Sequence, residues 1–140
     1  MFKLPAAFFC GVRVKHLERL ICETKVTHRW INQNPFNSLY FAVQAMAAEL
    51  STGALVMMHI KESNQKISML VANQKGNYSK KATGTITFKC EDGQKVLDAI
   101  AETIKTGEGV TFWMTSTGTD AASDVVSHSE FEWRIKCVSE

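Results

Sequence analysis

Residues 38–52 read Ser-Leu-Tyr-Phe-Ala-Val-Gln-Ala-Met-Ala-Ala-Glu-Leu-Ser-Thr, and Gly53 follows. Apart from Gln44 and Glu49, the middle of this stretch is apolar on every side of a helix. A helix that is apolar all round must be enclosed all round, so another part of the chain has to wrap it. The preceding Ile31-Asn32-Gln33-Asn34-Pro35-Phe36-Asn37 is polar and turn-rich. Asn34 or Asn37 can act as the N-cap, and Pro35 suits the first turn if Asn34 is the cap. Gly53 is placed to end the helix.

The wrapping material lies on both sides. Ala82–Cys90 alternates strictly, with Gly84, Ile86, Phe88 and Cys90 opposed to Thr83, Thr85, Thr87 and Lys89. Glu130–Val138 sets Phe131, Trp133, Ile135 and Cys137 against Glu130, Glu132, Arg134 and Lys136. Such period-two patterning predicts antiparallel strands with one wet face. Val110–Ser116, Lys66–Asn73 and the apolar run Ala54–Ile60 are further predicted strands, with Lys61–Gln65 a polar turn, and residues 20–30 carry a strand pattern through Ile21, Val26 and Trp30. Residues 11–19 read as a short helix or turn with Val12, Val14 and Leu17 inward. Asp92–Thr106 is predicted as an amphipathic helix with Val96, Leu97, Ile100, Ala101 and Ile104 as its apolar stripe, closed by Gly107 and Gly109. The architecture is therefore α+β: a curved antiparallel sheet of five or six strands around one buried helix, plus a second helix.

Composition narrows the function classes. The chain has 140 residues, 45% hydrophobic and 21% charged, with 16 basic residues against 14 acidic ones. This length and balance suit a single domain spanning 1–140. A net charge of +2 is too small for a nucleic-acid footprint. No run reaches the ~18 apolar residues a membrane helix needs, so neither nucleic acid nor membrane is an expected partner. Cys10, Cys22, Cys90 and Cys137 form no CxxC pair, and His16, His28 and His128 share no ligand spacing, so no metal is expected. His59, in an apolar run, reads as a core histidine. The start, Met1 to Cys10, loosely mimics a leader but has one lysine and a short, Pro-interrupted apolar stretch, which favours a cytoplasmic protein.

The element order resembles the hotdog fold, in which a long sheet wraps a central helix. One stretch is more specific. Hotdog acyl-CoA thioesterases of the aromatic-acyl type share Gln-Pro-Phe-Gly, then His-Gly-Gly, then Ala-Glu-Ser in the central helix. The same register here gives Asn34-Pro35-Phe36-Asn37, Tyr40-Phe41-Ala42 and Ala48-Glu49-Leu50, without a gap as far as Gly53. A thioesterase-like subfamily with an Asn-Pro variant is similar too. The resemblance implies a thioesterase acting as a homodimer with sites at the interface, and the expected assembly is that homodimer or a homotetramer made of two such dimers. It implies no resident cofactor, coenzyme A being part of the substrate. It also implies that the Phe41 N–H is the donor to the thioester carbonyl, that Asn34 helps to position carbonyl or water, and that Tyr40 stands where the family has histidine. Phe41 and Ala42 replace glycines.

Thioester hydrolysis needs a group that activates water and donors aimed at the oxyanion. Glu49 is the ionisable residue inside the apolar helix; burial raises a carboxylate's pKa, which suits a general base. The competing reading is a last-turn glutamate that reaches solvent or pairs with a lysine. The helix start supplies free N–H groups and a positive dipole end. Phe41 and Glu49 are eight residues apart, or ~12 Å along one helix. They cannot both touch one thioester, so a joint role requires the Glu49 of a second copy.

Lys80 and Lys81 are candidates for the phosphates of coenzyme A, against a solvated turn as the plain alternative. Asn37, Ser51 and Thr52 are candidate pocket residues as well as caps, and Met46 is a candidate for setting pocket depth. Gln44 needs a partner, from substrate or backbone. The rival function is a non-catalytic module that binds an acyl ligand. A hotdog dehydratase would want a histidine in Ile31–Asn37, which has none; a helix-turn-helix would mark an acyl-CoA-binding regulator; a cystatin-like fold would put its long helix first.

Overall fold

In the computed structural model, residues 4–138 are described. The central helix, α2, runs from Phe41 to Ser63, about 34 Å at 1.5 Å per residue. It begins later and ends later than the sequence pattern implies. The start moves because residues 33–39 form a small hairpin instead of a helical turn. Asn34 N donates to Ser38 O (2.8 Å) and Leu39 N to Ala82 O (2.9 Å), while Asn37 adopts a left-handed φ of 58°. Tyr40 is the extended N-cap and makes no side-chain capping bond, so neither Asn34 nor Asn37 caps.

Gly53 does not end the helix. A Cβ on Gly53 would stand 3.2 and 3.3 Å from two ring carbons of Trp133, so the glycine is a notch for that indole. The ring is pinned there by its Nε1–H, which donates to Thr52 Oγ1 at 2.9 Å. Ala54–Ile60, expected as a strand, continues the helix. An uninterrupted apolar run does not distinguish a core strand from a core helix, and the true stop is Asn64, left-handed at φ 56°.

The strands are β1 (Arg13–Leu17), β2 (Cys22–Thr27), β3 (Ile67–Tyr78), β4 (Thr85–Cys90), β5 (Val110–Thr119) and β6 (Val125–Cys137). They form one six-stranded sheet in the order β1-β2-β4-β5-β6-β3, antiparallel throughout. The alternation of the sequence is expressed directly: Ile86, Phe88, Cys90, Phe131, Trp133 and Ile135 are buried against the helices. β3 follows α2 in the chain yet lies at the sheet edge, paired with β6 only.

Residues 11–19, expected as a helix or turn, hold β1 instead; Val12 is buried, but Val14 and Leu17 are exposed at the edge. The leader-like start forms a short helix, α1 (Pro5–Phe9), with Ala7 buried. The second long helix, α3 (Gly93–Thr106), buries Val96, Ala99, Ile100 and Thr103, a stripe rotated from the expected one. Ile104 is exposed and Ala101 faces out. A threonine can take the inner position because its hydroxyl is satisfied, donating to Glu108 O (2.7 Å) and accepting from Cys137 N (2.9 Å).

By length and composition α2 would also suffice to cross a membrane, contrary to the expectation that no stretch of the sequence is long and apolar enough. It is instead the core: Ala47, Ala48, Ser51, Thr52, Leu55 and Val56 are essentially inaccessible.

Candidate functional site

Two clefts flank α2. The first, about 510 Å³, lies at the helix start, between the 34–40 loop and the segment leaving β3, and is lined among others by Tyr40, Phe41, Gln44, Tyr78 and Lys81. The second, about 280 Å³, is lined by Met46, Glu49 and Leu50 of α2 and by residues 4–7.

The loop that frames the first cleft is organised by Asn34. Its Oδ1 accepts from Phe36 N (2.9 Å) and Ser38 N (3.3 Å), and its Nδ2 donates to Ser38 Oγ (3.0 Å) and Leu39 O (3.3 Å). Both ends of the amide are thus engaged within the loop, and Asn34 acts on the helix start by shaping the chain that leads into it. Tyr40 N donates to Asn32 O (2.9 Å), while Val43 N and Gln44 N both donate to Tyr40 O (3.0 and 3.3 Å). Among the described residues the N–H groups of Phe41 and Ala42 have no acceptor. They are the orphan donors that every helix start leaves, here beside a cleft.

The Phe41 ring packs edge-on between Tyr40 (centroids 5.1 Å apart) and Tyr78 (5.9 Å). These three half-exposed rings form an aromatic wall. Burial raises the pKa of the Tyr78 phenol, opposed by a hydrogen bond with Ser129. Gln44 is 4% exposed, and its enclosed Oε1 has no hydrogen-bond partner. A buried, unpaired amide oxygen costs about 1–3 kcal/mol.

Glu49 occupies the second cleft. In the single chain its side chain reaches the surface, so it is less buried than its apolar neighbours imply. Desolvation by partial burial still raises its pKa, and Met46, Leu50 and residues 4–7 line the cleft around it. Among the described residues no lysine pairs with it, so only the solvent-reaching half of the competing reading agrees with its placement. Phe41 and Glu49 stand on the same unbroken helix, which preserves their separation of ~12 Å.

The other candidates divide. Met46 lines the Glu49 cleft. Ser51 and Thr52, expected in the pocket, face the core instead: Ser51 Oγ donates to Ala48 O (2.6 Å) and meets Ser116 Oγ (2.7 Å), and Thr52 Oγ1 donates to Glu49 O (2.8 Å) while accepting from Trp133. Their hydroxyls serve the helix–sheet contact. Asn37 is exposed at the loop's turn and lines neither cleft. Lys80 Nζ is held by Asp120 and Asp124, both at 2.8 Å; these carboxylates raise its pKa and fasten the wall of the cleft to the β5–β6 turn. Lys81 has no ion pair among the described residues. Tyr78 was not legible as a site residue, because only the pairing of β3 with β6 carries it to the helix start.

A six-stranded antiparallel sheet wrapped on one long helix, with a cleft at the helix start, defines a hotdog-fold protein. The chain belongs to the family described as domain of unknown function DUF4442, which matches residues 1–135. Among solved structures it is similar to PA5026 of Pseudomonas aeruginosa, a protein of unknown function for which thioesterase activity has been suggested (20% identity, 97% of this chain and 89% of that one, TM-score 0.85). It is similar to thioesterase HI1161 of Haemophilus influenzae (12% identity, 96% and 85%, TM-score 0.74). It is also similar to thioesterase SAV0944 of Staphylococcus aureus (14% identity, 97% and 99%, TM-score 0.73). Of that protein, two single-residue variants are known as structures, with alanine replacing a glutamine in one and a glutamate fifteen positions further along in the other. No curated protein matches the chain.

Proposed function

We propose that the protein hydrolyses an acyl-CoA or acyl-carrier thioester, in two equivalent sites that each combine the helix start of one copy with the Glu49 of the other. The observation that carries this reading is the Glu49 carboxylate, partly desolvated on an apolar helix and without a partner among the described residues. The thioester carbonyl oxygen accepts from the Phe41 and Ala42 N–H groups. Glu49 of the second copy takes a proton from water as the water oxygen bonds to the carbonyl carbon. The tetrahedral intermediate collapses with cleavage of the C–S bond, and the proton passes to the departing thiolate. Lys81, beside the cleft and without an ion pair among the described residues, is the better placed lysine for a coenzyme A phosphate, since Lys80 is already engaged by two aspartates.

Two features support the pairing of copies. The helical separation prevents Phe41 and Glu49 of one chain from meeting at one carbonyl. β3 also leaves twelve residues, Ile67–Tyr78, with one edge unpaired among the described residues, and an exposed edge of that length invites a second strand. The fifteen-residue spacing of the two substituted positions in the S. aureus thioesterase is also the spacing from Asn34 to Glu49.

The test is a thiol-release assay over short, long and aromatic acyl-CoAs with wild type and Glu49→Gln. Hydrolysis by wild type that the substitution abolishes is the expected result. Equal rates for both would remove Glu49 from the reaction. Saturable binding with no turnover would favour the non-catalytic acyl-binding module, for which the Phe41 ring at the cleft mouth is the supporting feature.

A further inference from the structure

Gln44 is nearly inaccessible, yet neither end of its amide has a hydrogen-bond partner among the described residues, and its oxygen is sealed from solvent. Buried polar groups in folded proteins are almost always paired, and one that is not needs a reason. Position is the reason here. Gln44 lines the cleft at the start of α2, three residues after Phe41, or ~4.5 Å along the axis. Helical side chains lean back toward the N-terminus, so its amide reaches over the turn that carries the free N–H groups of Phe41 and Ala42. The cleft, at about 510 Å³, lies within the range of roughly 300–1,000 Å³ that small-molecule sites occupy.

We propose that Gln44 is a specificity-determining residue whose terminal amide turns to present its oxygen to the cleft, where it accepts a hydrogen bond from a donor close to the bound thioester carbonyl. This rests on the reading that the carbonyl docks on the Phe41 and Ala42 N–H groups. Plain aliphatic and unsubstituted aromatic acyl chains carry no such donor. A hydroxyl on the second or third carbon of the acyl chain does, and so does the first amide N–H of the pantetheine arm. The chain keeps an amide where leucine would pack, because the ligand, not the protein, completes its hydrogen bonding.

The experiment compares Gln44 with Gln44→Leu in two measurements. Thermal melting of the unliganded proteins reads the cost of the unpaired amide. Calorimetric titration with 3-hydroxybutyryl-CoA and butyryl-CoA, in a Glu49→Gln background that suppresses turnover, reads recognition. The expected result is a melting temperature that stays level or rises in Gln44→Leu, together with affinity weakened about tenfold, the worth of one good hydrogen bond. Weakening confined to 3-hydroxybutyryl-CoA assigns the donor to the acyl hydroxyl; equal weakening for both assigns it to the pantetheine amide. A lowered melting temperature, which would mark an internal structural role, overturns the proposal, as do unchanged affinities or failure of both ligands to bind. Gln44-dependent binding without thiol release by wild type would retain this proposal and reject hydrolysis. Hydrolysis indifferent to Gln44 would do the reverse.

Discussion

Replacing Phe41 by proline deletes one N–H from the helix start and asks little of the backbone. Phe41 is the first residue of α2, the position where proline is favoured, because its missing N–H is an orphan in any case. Its N–H has no acceptor to lose among the described residues. The preceding Tyr40 has φ −63° and ψ 133°, an extended conformation that a following proline tolerates. The helix should therefore persist, with far-UV circular dichroism and melting temperature near those of wild type. Loss of one oxyanion donor costs about 10²–10³ in kcat, or roughly 3–4 kcal/mol of transition-state stabilisation. Phe41→Ala, which removes the ring but keeps the N–H, is the control and should retain turnover. Co-expression of Phe41→Pro with Glu49→Gln then tests the shared site. Each parent dimer has two defective sites. A mixed dimer has one site with both groups intact and one with neither, so random pairing restores about a quarter of wild-type activity per protomer. Full activity in Phe41→Pro alone, or no recovery in the mixture, would refute the reasoning.

Three further outcomes follow from the same geometry. Because desolvation raises the pKa of Glu49 above its ordinary 4.5, hydrolysis should climb with pH through that raised value. The folded state binds this proton more tightly than the unfolded chain, so the stability it contributes is full below pH 4.5 and is lost as pH rises through the folded pKa; Glu49→Gln should gain on wild type over that window in urea melts. Gly53→Val should lower the melting temperature by an overpacking cost of about 1–3 kcal/mol, since Trp133, tied to Thr52, cannot back away. In folded protein, Cys22 and Cys90, buried and with pKa pushed up to about 11 and about 12, should resist iodoacetamide while the half-buried Cys10 and Cys137 react; four equivalent fast thiols would contradict the burial.

The strands with one wet face were legible because alternation is a local record of which side faces the core. Phe88 and Ile86, or Trp133 and Ile135, need no tertiary information to be placed inward. The all-apolar middle of α2 likewise stated its own enclosure. Its ends were not legible. Gly53 carries the usual mark of a helix stop, and only the indole approaching from β6, far along the chain, turns that mark into a packing notch. The same distance effect misdirected the hydroxyls of Ser51 and Thr52, which satisfy the sheet rather than a ligand. The start shifted because Leu39 is claimed by the carbonyl of Ala82, a competitor that no nearby residue announces. β1 escaped recognition because an edge strand has little burial to write into its pattern.

By itself the sequence determined a wrapped helix, its antiparallel sheet, and one acid eight residues beyond the helix start, because periodicity and helical rise are properties of a short segment. The tertiary structure alone decided which polar groups remain unsatisfied. Asn34 and Lys80, both attractive as site residues in the sequence, find partners within the fold; the N–H groups of Phe41 and Ala42, the Gln44 oxygen and the Glu49 carboxylate find none among the described residues. A hydrogen-bonding group is available to a ligand only after every element that packs against it has been placed, and that placement is set by contacts between distant segments.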